Sequence, residues 1–513
     1  MPQLALRVRL VAGGRGLTAR HEPYPAPDDT LCGTLSPRQG APSAHAFRTF
    51  ADNGRPGTKK DFLASRNNGA INAVAQPHRV VIVGGGAAGL PLATRLGDTL
   101  GRRGQIAVTL VDHCASHLWK PLLHEVAAGR VDADVHGVDY FLMAYWHHFR
   151  FRQGAVVGLD RARRELRLGR VWDDDGVEIL PERAVRYDTL VFCVGSVNND
   201  FGIPGVTERA ISLDAAADAE RFHRRLVAAC VRADERAARG ESATVDIVII
   251  GAGATGVELA AEIRHCTGAH ASYGLEHLRP ERDIRLTLIE AAPRVLPPLS
   301  EEIAAAAALL LARLDVAVHT GERVTTIDAD GVHTGSGAVH KADLIVWAAG
   351  IQAPAWLDDL DGLEVNRAHQ LVVATTLATT RDPDIFALGD CAACPWPQAG
   401  REGATLPPRA QVARQQASLL VKSVKARLAG RPLPTFRFTD FGSLVSLGEL
   451  SAVGTLMGRL IGGSLLIQGL IARWMYVSLY KLHQVSIYGY LRVALDTLSR
   501  IVRHRLEPRV KLH

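Results

Sequence analysis

Two short glycine runs, 167 positions apart, hold the residue types whose spacing points most directly to chemistry. The first, Gly84-Gly85-Gly86-Ala87-Ala88-Gly89, follows the apolar run Arg79-Val80-Val81-Ile82-Val83. The second, Gly251-Ala252-Gly253-Ala254-Thr255-Gly256, follows Val245-Asp246-Ile247-Val248-Ile249-Ile250 and leads into Val257-Glu258-Leu259. In such a G-x-G-x-x-G turn the first glycine permits a tight bend. The second lets the backbone approach a pyrophosphate, and the third lets helix and strand pack closely. The pyrophosphate rests on the unpaired N–H groups and positive dipole end of the helix that follows. An acid closes each unit, Asp112 after Val108-Thr109-Leu110-Val111 and Glu290 after Ile284-Arg285-Leu286-Thr287-Leu288-Ile289. Such an acid accepts hydrogen bonds from a ribose diol and repels a 2′-phosphate. Glu290 therefore predicts NADH over NADPH at the second site, with Arg294 close by as the cation that pulls the other way. Glu290 lies 34 positions past Gly256, and a polar insertion over 264–283 accounts for the excess over the usual spacing of about 20. One such turn is a weak signal. Two, each between strand and helix and each with its acid, predict two dinucleotide sites in one chain.

The elements that must position these turns are legible in outline. A chain of 513 residues, 47% apolar and 22% charged, has room for two or three buried cores. Apolar runs at 187–195, 342–350 and 384–390 predict further parallel strands, and a hairpin region is expected from Val156 to Leu168. The expected fold class is α/β, with two Rossmann-like domains, the second inserted in the first. The boundaries predicted are 78–242 and 351–440 for the first domain, 243–350 for the second, and 441–513 for a C-terminal region. Residues 1–77, rich in Gly, Pro, Arg and Ala without sustained period, are expected to be a disordered extension. Four Arg and no acid in the first twenty give it a mild likeness to a transit peptide. The acids and prolines that follow favour an upstream extension of the reading frame.

Seven cysteines in a chain this long do not form a disulfide scaffold, which suggests a reducing compartment. Cys391-x-x-Cys394 has the form of a redox pair or half a zinc site, yet no second pair completes four ligands, and no metal is expected. The net charge of +6 gathers at the ends, with ten Lys/Arg against five Asp/Glu in 1–78 and six against two in 492–513. A basic end beside apolar sequence points to an anionic lipid surface rather than to nucleic acid. No window reaches 18 uncharged apolar residues, and the nearest, 460–472, is stopped by Arg473. Over 440–513, Trp474, Tyr476, Tyr480, Tyr488 and Tyr490 stand among Leu and Ile with Arg473, Lys481 and Arg492 between them. That pattern suits an amphipathic helical region docked in a bilayer interface, or a homodimer contact, or both.

Longer stretches carry a resemblance. They are His117-Leu118-Trp119-Lys120-Pro121-Leu122-Leu123-His124-Glu125-Val126-Ala127, Trp347-Ala348-Ala349-Gly350-Ile351, the run 381–391 ending in Gly389-Asp390-Cys391, and Pro407-Pro408-Arg409-Ala410-Gln411-Val412-Ala413-Arg414-Gln415-Gln416. With these, residues 78–513 resemble the two-dinucleotide-binding-domain flavoproteins, and among them the bacterial type II NADH dehydrogenases, NADH:quinone oxidoreductases that pump no protons. The ending, from Gly442-Ser443-Leu444 to Lys511-Leu512-His513, is similar to the proteobacterial branch. The resemblance implies non-covalent FAD on Gly84, Gly86, Ala87, Ala88, Gly89, Asp112, Lys120, Val156, Gly389 and Asp390. It implies NADH on Gly251, Gly253, Thr255, Gly256, Glu290, Ala349 and Gly350. Gln411 and Gln415 would line a quinone pocket, and Glu258 would lie near the nicotinamide and flavin rings, orienting one or relaying a proton. The implied acceptor is a membrane quinone, ubiquinone in this branch, at the cytoplasmic face of the inner membrane. A soluble flavin reductase of the ferredoxin or disulfide type is the alternative enzyme, and a redox sensor without turnover the alternative of another class.

Overall fold

The structure is a computed structural model that describes residues 76–271, 275–446, 452–458, 463–468 and 477–503 without 479, 483 and 486. Residues 1–75 of the extension expected over 1–77, together with Arg473, Trp474, Tyr476 and the last ten residues, lie outside the described residues.

Two five-stranded parallel sheets repeat one plan. The first runs in the order Ile385–Ala387, Thr189–Phe192, His78–Val83, Ile106–Asp112, Arg150–Gln153. The second runs Ile211–Ser212, Leu344–Trp347, Val245–Ile250, Ile284–Glu290, Val316–Thr320. In both, the strand before the glycine turn is central and the acid-bearing strand is its neighbour. Central strands covered on both faces must be apolar almost without break. Val80, Val81 and Ile82 in one and Ile247, Val248 and Ile249 in the other are accordingly buried. Each glycine turn therefore stands where the strand order reverses, the crevice in which open parallel sheets bind ligands.

The second sheet lies in sequence between Phe192 and Ile385 of the first. The two chain crossings pair with one another, as Val197–Asn198 runs antiparallel to Ile351–Gln352. Trp347 Nε1 donates to the Asn199 carbonyl at 2.8 Å beside them. The hairpin region expected from Val156 is a three-stranded antiparallel sheet of Val156–Asp160, Glu165–Leu168 and Arg183–Arg186.

Three details differ from the sequence expectation. The strand Ile211–Ser212 and the helix Ala216–Ala238 pack with the second sheet, so that unit begins well before 243. The helix hid its allegiance because its buried stripe is largely small, with Ala219, Ala229 and Ala233 flanking Phe222 and Leu226 amid many charges. The polar insertion is partly ordered helix. Ala254–Ala271 runs through Arg264, whose guanidinium donates to the carbonyls of Pro280, Ile284 and Asp315 at 2.9–3.1 Å. The C-terminal region is not helical throughout. It opens as an antiparallel sheet of Gly442–Ser446, Ala452–Gly458 and Gly463–Gln468 before the helix Tyr490–Arg503. Glycines and β-branched residues there suit extended chain, and the apolar run 460–472 is broken up by that third strand. Among the described residues no helix is long and apolar enough to cross a membrane.

Candidate active site

The two glycine turns are built alike. Gly84 has φ +94°, and a Cβ on it would lie 2.5 Å from the Cys193 carbonyl oxygen. Gly251 has φ +101°, and a Cβ there would lie 2.6 Å from the Ala348 carbonyl oxygen. A Cβ on Gly89 would collide with the Gly84 carbonyl, and one on Gly256 with that of Gly251. The middle glycines, Gly86 and Gly253, face nothing within 4 Å. The outer glycines are thus demanded by the fold itself, whereas the middle ones leave open the backbone face that a pyrophosphate needs. Ala87 and Ala88 lead into the helix Gly89–Leu96, and Thr255 is exposed on the first turn of its counterpart.

The acids are tethered in the same way. Asp112 accepts the Gly85 N–H at 2.7 Å on one oxygen and the Cys114 N–H at 2.9 Å on the other. Glu290 accepts the Ala252 N–H at 2.7 Å and the Ala292 N–H at 2.8 Å. Arg294 spends one end of its guanidinium on the carbonyls of Pro297 and Leu299, at 3.0 and 2.8 Å, rather than reaching toward Glu290. One residue escaped sequence reasoning here. Tyr140 packs its ring where a side chain on Gly85 would be, and its hydroxyl lies 3.5 Å from Asp112. Burial, reinforced by Asp112, holds that phenol well above its ordinary pKa.

A chain of contacts crosses the mouth of the first crevice. Lys120 Nζ donates to the Ser196 carbonyl at 2.8 Å, and the Ser196 hydroxyl donates to Asp390 at 2.8 Å. Burial raises the Asp390 carboxyl above the usual range. Gly389, at φ +77°, donates its N–H to Gln416 Oε1 at 2.7 Å. Gln416 is 1% exposed and was not among the expected site residues. Its signal was present, since it shares the buried face of the helix Ala410–Leu428 with Ala413, Ala417 and Leu420, where a carboxamide needs a partner. Val156 packs against the first core. Gly350, exposed at φ +72°, lies under the Phe201 ring, and Ala349 precedes it at the end of the second sheet's Leu344–Trp347 strand.

Gln411, Gln415 and Glu258 come together on one short segment, 439–446. Gln415 donates to the Thr439 carbonyl at 2.8 Å and accepts the Thr439 N–H at 3.1 Å. Gln411 donates to Asp440 at 3.0 Å and to the Gly442 carbonyl at 3.1 Å, and accepts the Phe441 N–H at 3.2 Å. Glu258 accepts the Ser446 N–H at 2.9 Å. This strap runs from the helix Ala410–Leu428 to the first turn of the helix Ala254–Ala271. Gln411 spends two amide donations on it, so a carbonyl ligand there would have to exchange for one of these bonds, whereas Gln415 gives the strap only one of its two N–H groups.

Beneath the strap lies a buried set of titratable groups. Burial drives the Glu258 carboxyl up to about 8, and the nearby Glu125 and Glu262 add to that shift. His124 Nδ1 is 3.5 Å from Glu258, and its Nε2, 4.0 Å from Glu125, has no hydrogen-bond partner. Burial lowers His124 to about 4. At neutral pH the His124–Glu258 contact is therefore between a neutral imidazole and a carboxylic acid, not an ion pair. Glu262 is satisfied separately by Arg130 at 2.8 Å. His124 sits on the short helix Leu123–Ala127, which packs against the helices Ala216–Ala238 and Ala254–Ala271, and so its place follows from the fold.

Cys391 and Cys394 are both free and buried, and burial pushes both thiols up to about 11. Cys391 Sγ lies 3.4 Å from the Leu388 carbonyl and 3.6 Å from that of Phe192. A thiol so protonated is a poor nucleophile, and the pair packs in the first core.

These features have known counterparts. The profile of the pyridine nucleotide-disulphide oxidoreductase family matches residues 78–417. The type II NADH:quinone oxidoreductase of Haemophilus influenzae is 40% identical over 446 residues, 85% of this chain and 99% of that protein. Ndh of Mycobacterium tuberculosis, of the same description, is 30% identical over 399 residues, 74% of this chain and 80% of its own. Among solved structures, the NDH2 of Plasmodium falciparum in complex with NADH superposes with a TM-score of 0.69 at 17% identity, over 85% of this chain and 99% of that one, a likeness of fold. Two matched cradles, a profile spanning both, and a relative aligned over nearly its whole length place the chain in the type II NADH:quinone oxidoreductases.

Proposed function

We propose that this chain oxidises NADH and reduces a membrane quinone, ubiquinone in this branch, while bound to the cytoplasmic face of the membrane. The observation that carries the reading is the pair of open-faced glycine cradles in one chain, spanned by a strap that touches both units. The soluble-reductase alternative is not favoured, because the relatives aligned over most of the chain are quinone reductases.

The first cradle fits FAD. Gly84, Gly86 and Gly89 shape the turn, and Ala87 and Ala88 bring backbone N–H groups toward the pyrophosphate. Asp112 would accept the ribose hydroxyls on its remaining lone pairs, and Val156 would flank the crevice. Lys120, Gly389 and Asp390 close the far end. FAD, when held there, supplies the two-electron chemistry that links NADH to quinone. The second cradle fits NADH, with Gly251, Gly253, Thr255 and Gly256 at the pyrophosphate, Glu290 at the ribose, and Ala349 and Gly350 along the nicotinamide end.

NADH, one proton and quinone give NAD⁺ and quinol, so each turnover takes one proton from solution. Glu258 is the group that holds it, being protonated at neutral pH and buried where the two units meet. His124 connects Glu258 toward Glu125, whose side chain is 17% exposed and so reaches solvent. Gln411 and Gln415 fix the strap that excludes water from the quinone side; Gln411 meets a quinone carbonyl by exchanging a strap bond, and Gln415 with its second N–H. Turnover of NADH with a soluble quinone analogue tests the reading. Flavin bleaching by NADH without any quinone reduction would restrict the chain to the first half-reaction and refute it.

A further inference from the structure

Deepening the membrane reading just given, we infer that the bilayer contact includes a second element on the first domain, the helix Tyr140–Trp146, joined to the C-terminal helix as one lipid-facing surface. The helix reads Tyr-Phe-Leu-Met-Ala-Tyr-Trp and has no polar face. Tyr140, Met143 and Ala144 enter the first core, yet Phe141 is 56% and Tyr145 81% exposed, with Leu142 and Trp146 beside them. Asp139 caps the helix through the Leu142 N–H at 2.7 Å, so the exposed side chains are presented by an ordered element. A short helix this apolar, half out of the protein, calls for an apolar phase outside it.

The C-terminal helix Tyr490–Arg503 makes the same presentation. Val493 turns inward, while Leu491 at 74% and Leu498 at 62% exposure form with Leu495 a stripe on its outer side. The two helices meet where the Arg492 guanidinium stacks over the Trp146 ring, 4.4 Å from its centroid. Charge chooses the occupant. The turn Gly97–Gly101 backs onto His147 and His148, which brings the exposed Arg102 and Arg103 beside the patch, with Arg150 on the strand that follows. Of the neighbouring acids, Asp98 is bound to His147 at 2.9 Å and Asp139 is spent on the cap. An apolar face edged by exposed arginine fits an anionic lipid surface, where aromatic side chains sit at headgroup level and arginine snorkels to phosphate.

The test uses the full chain with bound flavin and phosphatidylcholine vesicles made with and without phosphatidylglycerol. Wild type is expected on the anionic vesicles. The double variant Phe141→Ser, Tyr145→Ser should partition about a hundredfold more weakly, from the loss of two large apolar side chains, with unchanged turnover of a soluble quinone analogue. The variant Tyr145→Trp, which keeps an interfacial ring, should bind as wild type does. Retained binding by the serine variant would overturn the inference while leaving the membrane reading intact. Failure of wild type to bind any vesicle would remove the membrane reading and this surface with it. If light scattering showed the serine variant losing a dimer while still on vesicles, the face would be a contact between two copies, and the inference would fall.

Discussion

The first and second glycine turns share a geometry but differ in what surrounds them. Each has a left-handed first glycine, an open middle glycine, a third glycine pressed on the first, and an acid tied to the turn. Around the first, Tyr140 is packed on Gly85, and Lys120, Ser196 and Asp390 are linked across the mouth, with Gln416 bracing Gly389 from behind. Around the second, Ala252 stands where the first has Gly85, and Thr255 and Gly350 remain exposed. A cofactor that stays through every turnover is walled in. A nucleotide that must enter and leave each time is given the same cradle without the wall.

The sharpest way to break this comparison is to damage the two cradles in turn. Gly89→Val drives a side chain into the Gly84 carbonyl and should leave a protein purified without yellow colour. Gly256→Val should keep the flavin but raise the KM for NADH by more than a hundredfold, on the order of 3 kcal/mol. Absorbance spectra and steady-state kinetics read both, and loss of flavin from Gly256→Val would show that the cradles are not independent.

Next in size is nucleotide choice. A 2′-phosphate beside Glu290 sets like charges together in a partly dry site, which costs on the order of 1–3 kcal/mol, or ten- to a hundredfold in kcat/KM. Glu290→Gln should narrow the gap between NADH and NADPH. Equal efficiency with both nucleotides in the wild type would contradict the assignment.

Gln416→Leu removes the acceptor for the half-buried Gly389 N–H, a loss of about 1–3 kcal/mol. Dilution or gel filtration should then strip flavin faster than from the wild type, while the KM for NADH holds. An unchanged flavin off-rate would mean that the Gly389 loop is braced elsewhere.

The smallest expected effect is one of pH. Because the Glu258 carboxyl is raised to about 8, its proton is present at neutrality and lost as pH climbs through that value. Quinone reduction should fall over the same range, and Glu258→Gln should flatten the profile. The sign for stability is the same. The unfolded carboxyl releases its proton near 4.5 and the folded one keeps it to about 8, so this group's contribution to folding weakens between those values and is level above. A Glu258→Gln melting profile identical to wild type across that interval would remove the carboxyl from the account.

The fold's plan was legible because its signals are local. Apolar strand, glycine turn and terminal acid lie within one stretch of chain, and φ > 0 at Gly84 and Gly251 is something only glycine adopts freely. What sequence did not disclose depends on distant partners. Tyr140 reaches Gly85 across more than fifty positions, and Gln416 meets Gly389 only because the helix Ala410–Leu428 returns to the first sheet. Ala216–Ala238 reads as a charged surface helix until its small residues are seen against the second core. The resemblance named Gln411, Gln415 and Glu258, yet nothing in their spacing showed that all three bind the strap 439–446. The strands at 442–468 were masked by a composition that suits an amphipathic helix nearly as well.

The most direct test of the central claim, that one chain carries electrons from NADH through flavin to quinone, is an anaerobic stopped-flow experiment in two mixes. Stoichiometric NADH should bleach the flavin absorbance completely, and a soluble quinone analogue added next should restore it at a rate compatible with steady-state turnover. Flavin that NADH does not bleach, or that stays bleached in the presence of quinone, would contradict the account.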